Sequence, residues 1–245
     1  MSSSLLLVAH GSRDPRFADT AHRVRRAVSA RLPGVDVGLS FLDLNEPLVS
    51  DSLSKLERPC TVVPLLLAPG YHSEIDLPEI VANSPAANSV ATTGVVGRYS
   101  LTAALADRLT QAGLRGDDGI ILTAVGSRNP AAERLIRRRG VELSTKLHRP
   151  VDVVFATQLG VGDIRLRTAV RRLHTAGARR IVLSPYFLAA GLLTERVEAA
   201  LERLCPDSLV AGPIGTHPAL IDAVVRSYHE ASAVGSPERL RHGLR

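Results

Sequence analysis

Two histidines stand where this chain could do chemistry. His10 closes the apolar run Leu5-Leu6-Leu7-Val8-Ala9 and is followed by Gly11-Ser12-Arg13-Asp14-Pro15. His72 closes a similar unit, Val62-Val63-Pro64-Leu65-Leu66-Leu67-Ala68-Pro69-Gly70-Tyr71. Each run reads as a buried parallel strand, so each histidine is delivered to a strand's carboxyl end. That is where ligands bind in open α/β sheets. A neutral imidazole binds a metal ion or takes a proton near pH 7. Two imidazoles and a carboxylate suit a first-row divalent ion such as Co2+, Fe2+, Ni2+ or Zn2+. Two or three protein ligands leave positions open for exchange, unlike a closed structural site. The neighbouring acids are Asp43 and Glu46. To share one ion the two histidines must lie within about 10 Å, because imidazole nitrogen binds metal at roughly 2 Å.

The elements that would position these residues come in two copies. Leu6 to Pro15 recurs as Ile121-Leu122-Thr123-Ala124-Val125-Gly126-Ser127-Arg128-Asn129-Pro130. Phe41 recurs as Phe155, the stretch Pro64–Gly70 as Pro185–Gly191, and Gly94-Val95-Val96-Gly97 as Gly212-Pro213-Ile214-Gly215. Four anchors in order at nearly constant offset describe a duplicated domain, not a solenoid. Each copy reads βαβαβαβα. Strands are expected near 4–9, 35–41, 60–67 and 90–96, with helices near 16–31, 47–56, 74–83 and 99–113. In the second copy strands fall near 118–125, 151–156, 179–186 and 208–214, with helices near 129–147, 162–175, 193–204 and 217–233. This alternation predicts an α/β protein with parallel sheets covered by helices on both faces. The expected division is 1–114 and 118–235, joined near 113–119, with a mobile tail at 236–245. The strand ends of both domains should face one shared cleft about a pseudo-two-fold axis.

Divergence between the copies separates scaffold from chemistry. The Gly-Ser-Arg-x-Pro turn survives in both, and Gly11 and Gly126 suit a tight strand-to-helix turn. Ser12 and Ser127 can accept from helix-terminal N–H groups, and such helix starts can also bind anions. By contrast His10 becomes Val125, His72 becomes Leu193, and Asp43 and Glu46 fall opposite Thr157 and Gly160. The first copy keeps every candidate metal ligand and the second keeps none.

Composition narrows the partners. The chain has 245 residues, 45% of them hydrophobic, which is ample for a core. No apolar run approaches the roughly 18 residues of a membrane span, and Met1-Ser2-Ser3-Ser4 lacks the basic start of a signal peptide. A cytoplasmic protein without membrane partners is expected. Cys60 and Cys205 have no metal-ligand spacing, so no iron–sulfur cluster is expected. Residues 1–116 balance 11 basic against 11 acidic side chains, while 117–245 carry 19 against 13. Such runs usually face water, but they can also attract a polyanion. With 3% aromatics, no Trp and no recognition motif, nucleic acid is a poor partner. A small polycarboxylate fits better.

Three segments carry a family resemblance: His10 to Pro15, Phe41-Leu42-Asp43-Leu44-Asn45-Glu46-Pro47, and Pro64 to Pro78 with Gly70-Tyr71-His72 and Asp76-Leu77-Pro78. They resemble the sirohydrochlorin chelatase family, the CbiX-type cobaltochelatases and SirB-type ferrochelatases of the class II chelatases. The resemblance spans nearly the whole chain, since the family includes duplicated two-domain forms. It implies insertion of Co2+ or Fe2+, with Ni2+ as a further candidate, into an octacarboxylate tetrapyrrole on the way to cobalamin or sirohaem. No organic cofactor is implied. The family's ligand histidines fall on His10 and His72. Its acidic residue falls on Asp43, where a Glu is common in relatives, with Glu46 beside it as a second acid or a helix-start carboxylate. Arg13, Arg98 and Arg128, at strand ends, are candidate carboxylate clamps, with Ser12 beside them. The protein is expected to be a monomer or weak homo-oligomer. Two other readings use the same residues. One is phosphoryl transfer through a histidine nucleophile, although no GxxxxGK[ST] loop is present. The other is a carrier that binds tetrapyrrole or metal without turnover.

Overall fold

In the computed structural model, which describes residues 4–234, the first copy runs β1 (Ser4–Ala9), α1 (Pro15–Arg31), β2 (Asp36–Phe41), α2 (Val49–Ser54) and β3 (Cys60–Pro64). It continues through a π-helical turn (His72–Asp76), α3 (Leu77–Ala82), β4 (Val90–Thr92) and α4 (Thr102–Gln111). The second copy runs β5 (Asp118–Ala124), α5 (Pro130–Leu147), β6 (Val151–Phe155), α6 (Ile164–Thr175), β7 (Arg180–Pro185), α7 (Leu192–Leu204), β8 (Leu209–Val210) and α8 (Pro218–Val234). Every expected strand and helix occurs. The tail at 236–245 lies outside the described residues.

Both sheets are wholly parallel, ordered β2-β1-β3-β4 and β6-β5-β7-β8. Side chains alternate across them as strand geometry requires. On β1, Leu5, Leu7 and Ala9 face one core, while Leu6 and Val8 face another with Val49, Leu53 and Leu77 from α2 and α3. On β5, Ile120, Leu122 and Ala124 join the same core as Leu5 and Leu7, while Ile121 meets Leu166 and Leu173 of α6 and Val197 and Leu201 of α7. Each fully buried Leu or Ile is worth roughly 1.5–3 kcal/mol of transfer free energy. No helix among the described residues is long and apolar enough to cross a membrane.

The last helix of each copy crosses over. Helix α4 packs on α5 and β7, in the second copy, and α8 packs on α1 and β3, in the first. Leu101, Leu105 and Leu109 therefore share a core with Ile120 and Val182, and Leu220 and Val224 share one with Leu5 and Val63. The sequence repeat divides near 113–119, but the packing does not divide there.

Three expected strands are shorter than their apolar runs. β3 ends at Pro64, yet the Leu65 N–H still donates to the Val8 carbonyl at 2.7 Å before the chain leaves the sheet. β4 ends at Thr92, and the turn after it brings Gly97 against the backbone of Leu67, so close that no side chain would fit. β8 ends at Val210, before Gly212-Pro213. The expected helix at 74–83 opens instead as the π-helical turn.

Candidate metal centre and substrate cleft

The His10 and His72 rings meet edge to face, their centroids 4.4 Å apart at 85°. Each is brought there by a local device. Beyond β1 the chain keeps pairing with the second-strand segment, Leu42 N–H donating to Ala9 at 2.9 Å and Asp43 N–H to His10 at 3.0 Å. Gly11 then turns at φ +103°, and α1 starts on Pro15 with Asp14 as cap. The second copy repeats this start with Gly126 at φ +97°, the Asn129 cap and Pro130. The Ser12 and Ser127 hydroxyls accept from Asp14 N–H and Asn129 N–H at 3.1 and 3.0 Å. These serines therefore shape their turns.

His72 opens the π-helical turn, in which Leu77 N–H bonds back to the His72 carbonyl. Ser73 staples its start, exchanging hydrogen bonds with the N–H and carbonyl of Gly70. Isolated π-turns often mark functional sites. The His10 Nδ1 lies 3.1 Å from the Gly11 carbonyl, and the His72 Nδ1 lies 2.6 Å from Asp76 Oδ2. Both partners are acceptors, so each Nδ1 carries its hydrogen. In its neutral form each ring then has its lone pair on Nε2, for which no hydrogen-bond partner occurs among the described residues.

The pair sits between two hollows. His72, Asp43, Asp76 and Glu79 line an open groove of about 710 Å³. His10, Ser12 and Arg13 line a cleft of about 680 Å³ between the strand ends of both copies. The cleft walls are mostly apolar: Phe17, Leu65 and Leu67 from the first copy, and Ile136, Phe155, Tyr186, Phe187 and Leu188 from the second. Tyr186 is buried, and burial raises its phenol above the ordinary value, so it stays a neutral donor. Asn129 Nδ2 donates to Glu74 at 3.0 Å and Arg16 pairs with Glu195 at 2.6 Å, two bridges that join the copies.

The other sequence candidates divide. Asp43 is exposed, its Oδ1 accepts from Leu44 N–H at 2.7 Å, and it shares the groove with His72. Among the described residues, no group of three or more His, Cys, Asp or Glu side chains is placed to hold one ion, so Asp43 is not assembled with the histidines. Glu46 is exposed, lines neither hollow, and precedes the first turn of α2, where Asp51 is the acid. It is not a helix-start carboxylate. Arg13 lines the cleft and has no ion pair among the described residues. Arg98 does not line it: its guanidinium is held by Glu230 at 2.6 Å and by the Tyr99 hydroxyl. Arg128 is exposed, next in sequence to Ser127 of the cleft lining, and does not itself line the cleft. The second copy's excess of basic residues is not in the cleft lining, where Glu133 is that copy's one charged side chain among the described residues. Most arginines of the runs at 137–139, 171–172 and 179–180 face water from helices, and Arg139 is buried against the carbonyls of Gly97, Arg98 and Tyr99.

Sequence reasoning missed three contributors. Asp76 was one carboxylate in a motif, and its spacing of four from His72 is the signal that would have found it. Asn45, whose Oδ1 accepts from Ser12 N–H at 2.7 Å, and Asn129 stood only as members of their motifs, with no role assigned.

The CbiX family model matches residues 4–112 and again 119–231. The sirohydrochlorin cobaltochelatase of Priestia megaterium is 26% identical over 239 residues, 89% of this chain and 76% of the relative. The sirohydrochlorin ferrochelatase of Bacillus subtilis (strain 168) is 22% identical over 245 residues, 95% of this chain and 93% of the relative. The solved structure of SirB from Bacillus subtilis with Fe3+ superposes with a TM-score of 0.79 at 23% identity, covering 95% of this chain and 96% of that one. At that identity the superposition speaks for the fold. With its model matched once in each copy, the chain belongs to the CbiX family.

Proposed function

We propose that this protein inserts Co2+ or Fe2+ into sirohydrochlorin, as a metal chelatase with His10 and His72 as its metal-binding pair. The observation that carries this is the edge-to-face pair itself, with both Nδ1 atoms engaged, neither Nε2 hydrogen-bonded among the described residues, and His10 in the lining of an apolar cleft. Metal insertion must strip water from the ion, pass it to four pyrrole nitrogens and release two pyrrole protons. A two-nitrogen site holds a divalent ion while leaving coordination positions for water and for incoming pyrrole nitrogen. Once the ion has moved, a vacated Nε2 accepts one of the displaced protons. The apolar walls suit the macrocycle; Arg13 in the lining and Arg128, which follows Ser127 of the lining, have no ion pair among the described residues and would meet its carboxylates.

The ion is substrate, and two imidazoles accept cobalt, iron or nickel, so supply selects among them. The test is anaerobic absorbance spectroscopy with purified protein, sirohydrochlorin and each metal in turn. Catalytic turnover well beyond one equivalent of product is expected with Co2+ or Fe2+. Stoichiometric binding without turnover would identify a carrier. Metal-independent phosphatase or mutase activity would identify a phosphoryl-transfer enzyme.

A further inference from the structure

We propose that Asp76 is a positioning residue for His72, fixing the tautomer and orientation that present Nε2 to the ion. This rests on the reading of His72 as a metal donor.

Among the described residues Asp76 is the ring's one hydrogen-bond partner; its other contacts are edge-to-face packing on His10 and Tyr71, which does not choose between the two tautomers. The His72 side chain is 43% exposed, and its one hydrogen bond is the 2.6 Å contact from Nδ1 to Asp76 Oδ2. A free imidazole divides its proton between two nitrogens and rotates, so only part of its population offers a lone pair where it is needed. A carboxylate partner removes both freedoms, and such partners raise the donor strength of a ligating histidine. The partner at His10 is weaker, a neutral carbonyl at 3.1 Å.

The backbone holds the carboxylate in turn. Asp76 closes the π-helical turn, and the next residue, Leu77, is fully buried in the core beneath. The second copy gives the contrast. Where the first has His72 and Asp76, the second has Leu193 and Val197, and α7 begins there as an ordinary α-helix. Val197 is fully buried among apolar neighbours. Histidine and carboxylate are replaced together, as expected if each is useful only with the other.

The test uses the full chain and Co2+ alone, titrated anaerobically and followed by calorimetry and by the visible absorption of bound Co2+. Asp76→Ala should weaken Co2+ binding about 10- to 100-fold, the usual effect of losing such a partner, and should shift the Co2+ spectrum. Asp76→Asn keeps an amide oxygen to accept from Nδ1–H and should lose less. Glu79→Ala removes a carboxylate from the same groove that, among the described residues, makes no hydrogen bond or ion pair with His72, and should change affinity less than about twofold, within the range of a screened surface charge. All three should keep the parent's melting temperature. A parent that binds no Co2+ overturns the metal reading and the positioning role with it. A parent that binds Co2+ while Asp76→Ala binds it equally well overturns the positioning role alone. So does an Asp76→Asn as weak as Asp76→Ala, or a Glu79→Ala as weak as either.

Discussion

The carbonyl oxygen of Asp43 occupies the space that a side chain on Gly11 would need, since a Cβ built there would lie 1.7 Å from it. That contact locks the end of β1 against the second-strand segment and sets where His10 leaves the sheet. The Gly11→Ala substitution must move backbone as well as adopt a φ of +103°. It is expected to cost at least about 2 kcal/mol and to remove most metal-insertion activity. Gly126→Ala is the internal control. It carries similar backbone strain at φ +97°, but its Cβ would meet side-chain atoms, the Thr157 hydroxyl at 2.5 Å and Phe155 Cβ at 3.0 Å, rather than a backbone carbonyl. Denaturant unfolding should show Gly126→Ala as the milder change, with activity largely kept. Equal effects would mean that the Asp43 contact does not set the site.

His10→Ala and His72→Ala should each lower metal insertion at least about tenfold, the ordinary worth of a metal ligand or general base. Melting temperatures should stay within a few degrees of the parent, because His10 is exposed, His72 is partly so, and neither belongs to a core cluster. Val125→Ala, at the position matching His10, should be catalytically mild. A double His10→Ala, His72→Ala variant with full turnover would remove the histidines from the mechanism.

How much of this was legible in the chain follows from the range of the interactions. Strands β1 and β5 were readable because both of their faces are buried, which leaves an uninterrupted apolar run. The histidines were readable because a polar residue at the end of such a run has few structural reasons to be there. The crossing of α4 and α8 was not readable, because an amphipathic helix such as Leu101, Leu105 and Leu109 declares an apolar face but not the sheet that face covers. Arg98 illustrates the same limit. Its place after a strand suggested the cleft, but Glu230, its partner from α8, is 132 positions away in sequence. The π-helical turn was missed since its apolar spacing differs from an α-helix by less than one residue per turn.

Asp118 offers a test in pH. It is buried at the start of β5, where its carboxylate accepts from Arg180 Nε and Nη2 at 2.9 and 2.7 Å and from Arg115 N–H at 2.6 Å. Burial alone would raise its pKa, but the Arg180 pair and the Arg115 N–H outweigh burial and hold it below the ordinary value. In the unfolded chain the carboxyl binds its proton near pH 4. The unfolded state therefore binds more protons, and the contribution is full at neutral pH and lost as pH falls through the lower folded value. Asp118→Asn should cost about 3 kcal/mol at pH 7, as a half-broken buried pair does. The gap between variant and parent should narrow below about pH 4. A gap that stays constant down to pH 3 would show that the charge of Asp118 contributes nothing.

The substrate's carboxylates should be read by arginines that have no other partner. Arg13 lines the cleft and Arg128 follows Ser127 of its lining, neither with an ion pair among the described residues, while Arg98 is committed to Glu230. A clamp that holds substrate and transition state alike changes KM rather than kcat. Arg13→Ala should therefore raise KM for sirohydrochlorin more than it lowers kcat, Arg128→Ala should do so to a smaller degree, and Arg98→Ala should leave KM where it was. The same attraction predicts a KM that rises with salt, because charges further apart than about 10 Å are screened at 0.1 M ionic strength. The salt slope should be shallower in Arg13→Ala than in the parent, since one attractive charge is gone. An unchanged slope with an unchanged KM would place Arg13 among the solvated surface charges and leave the apolar walls and backbone of the cleft as the source of affinity.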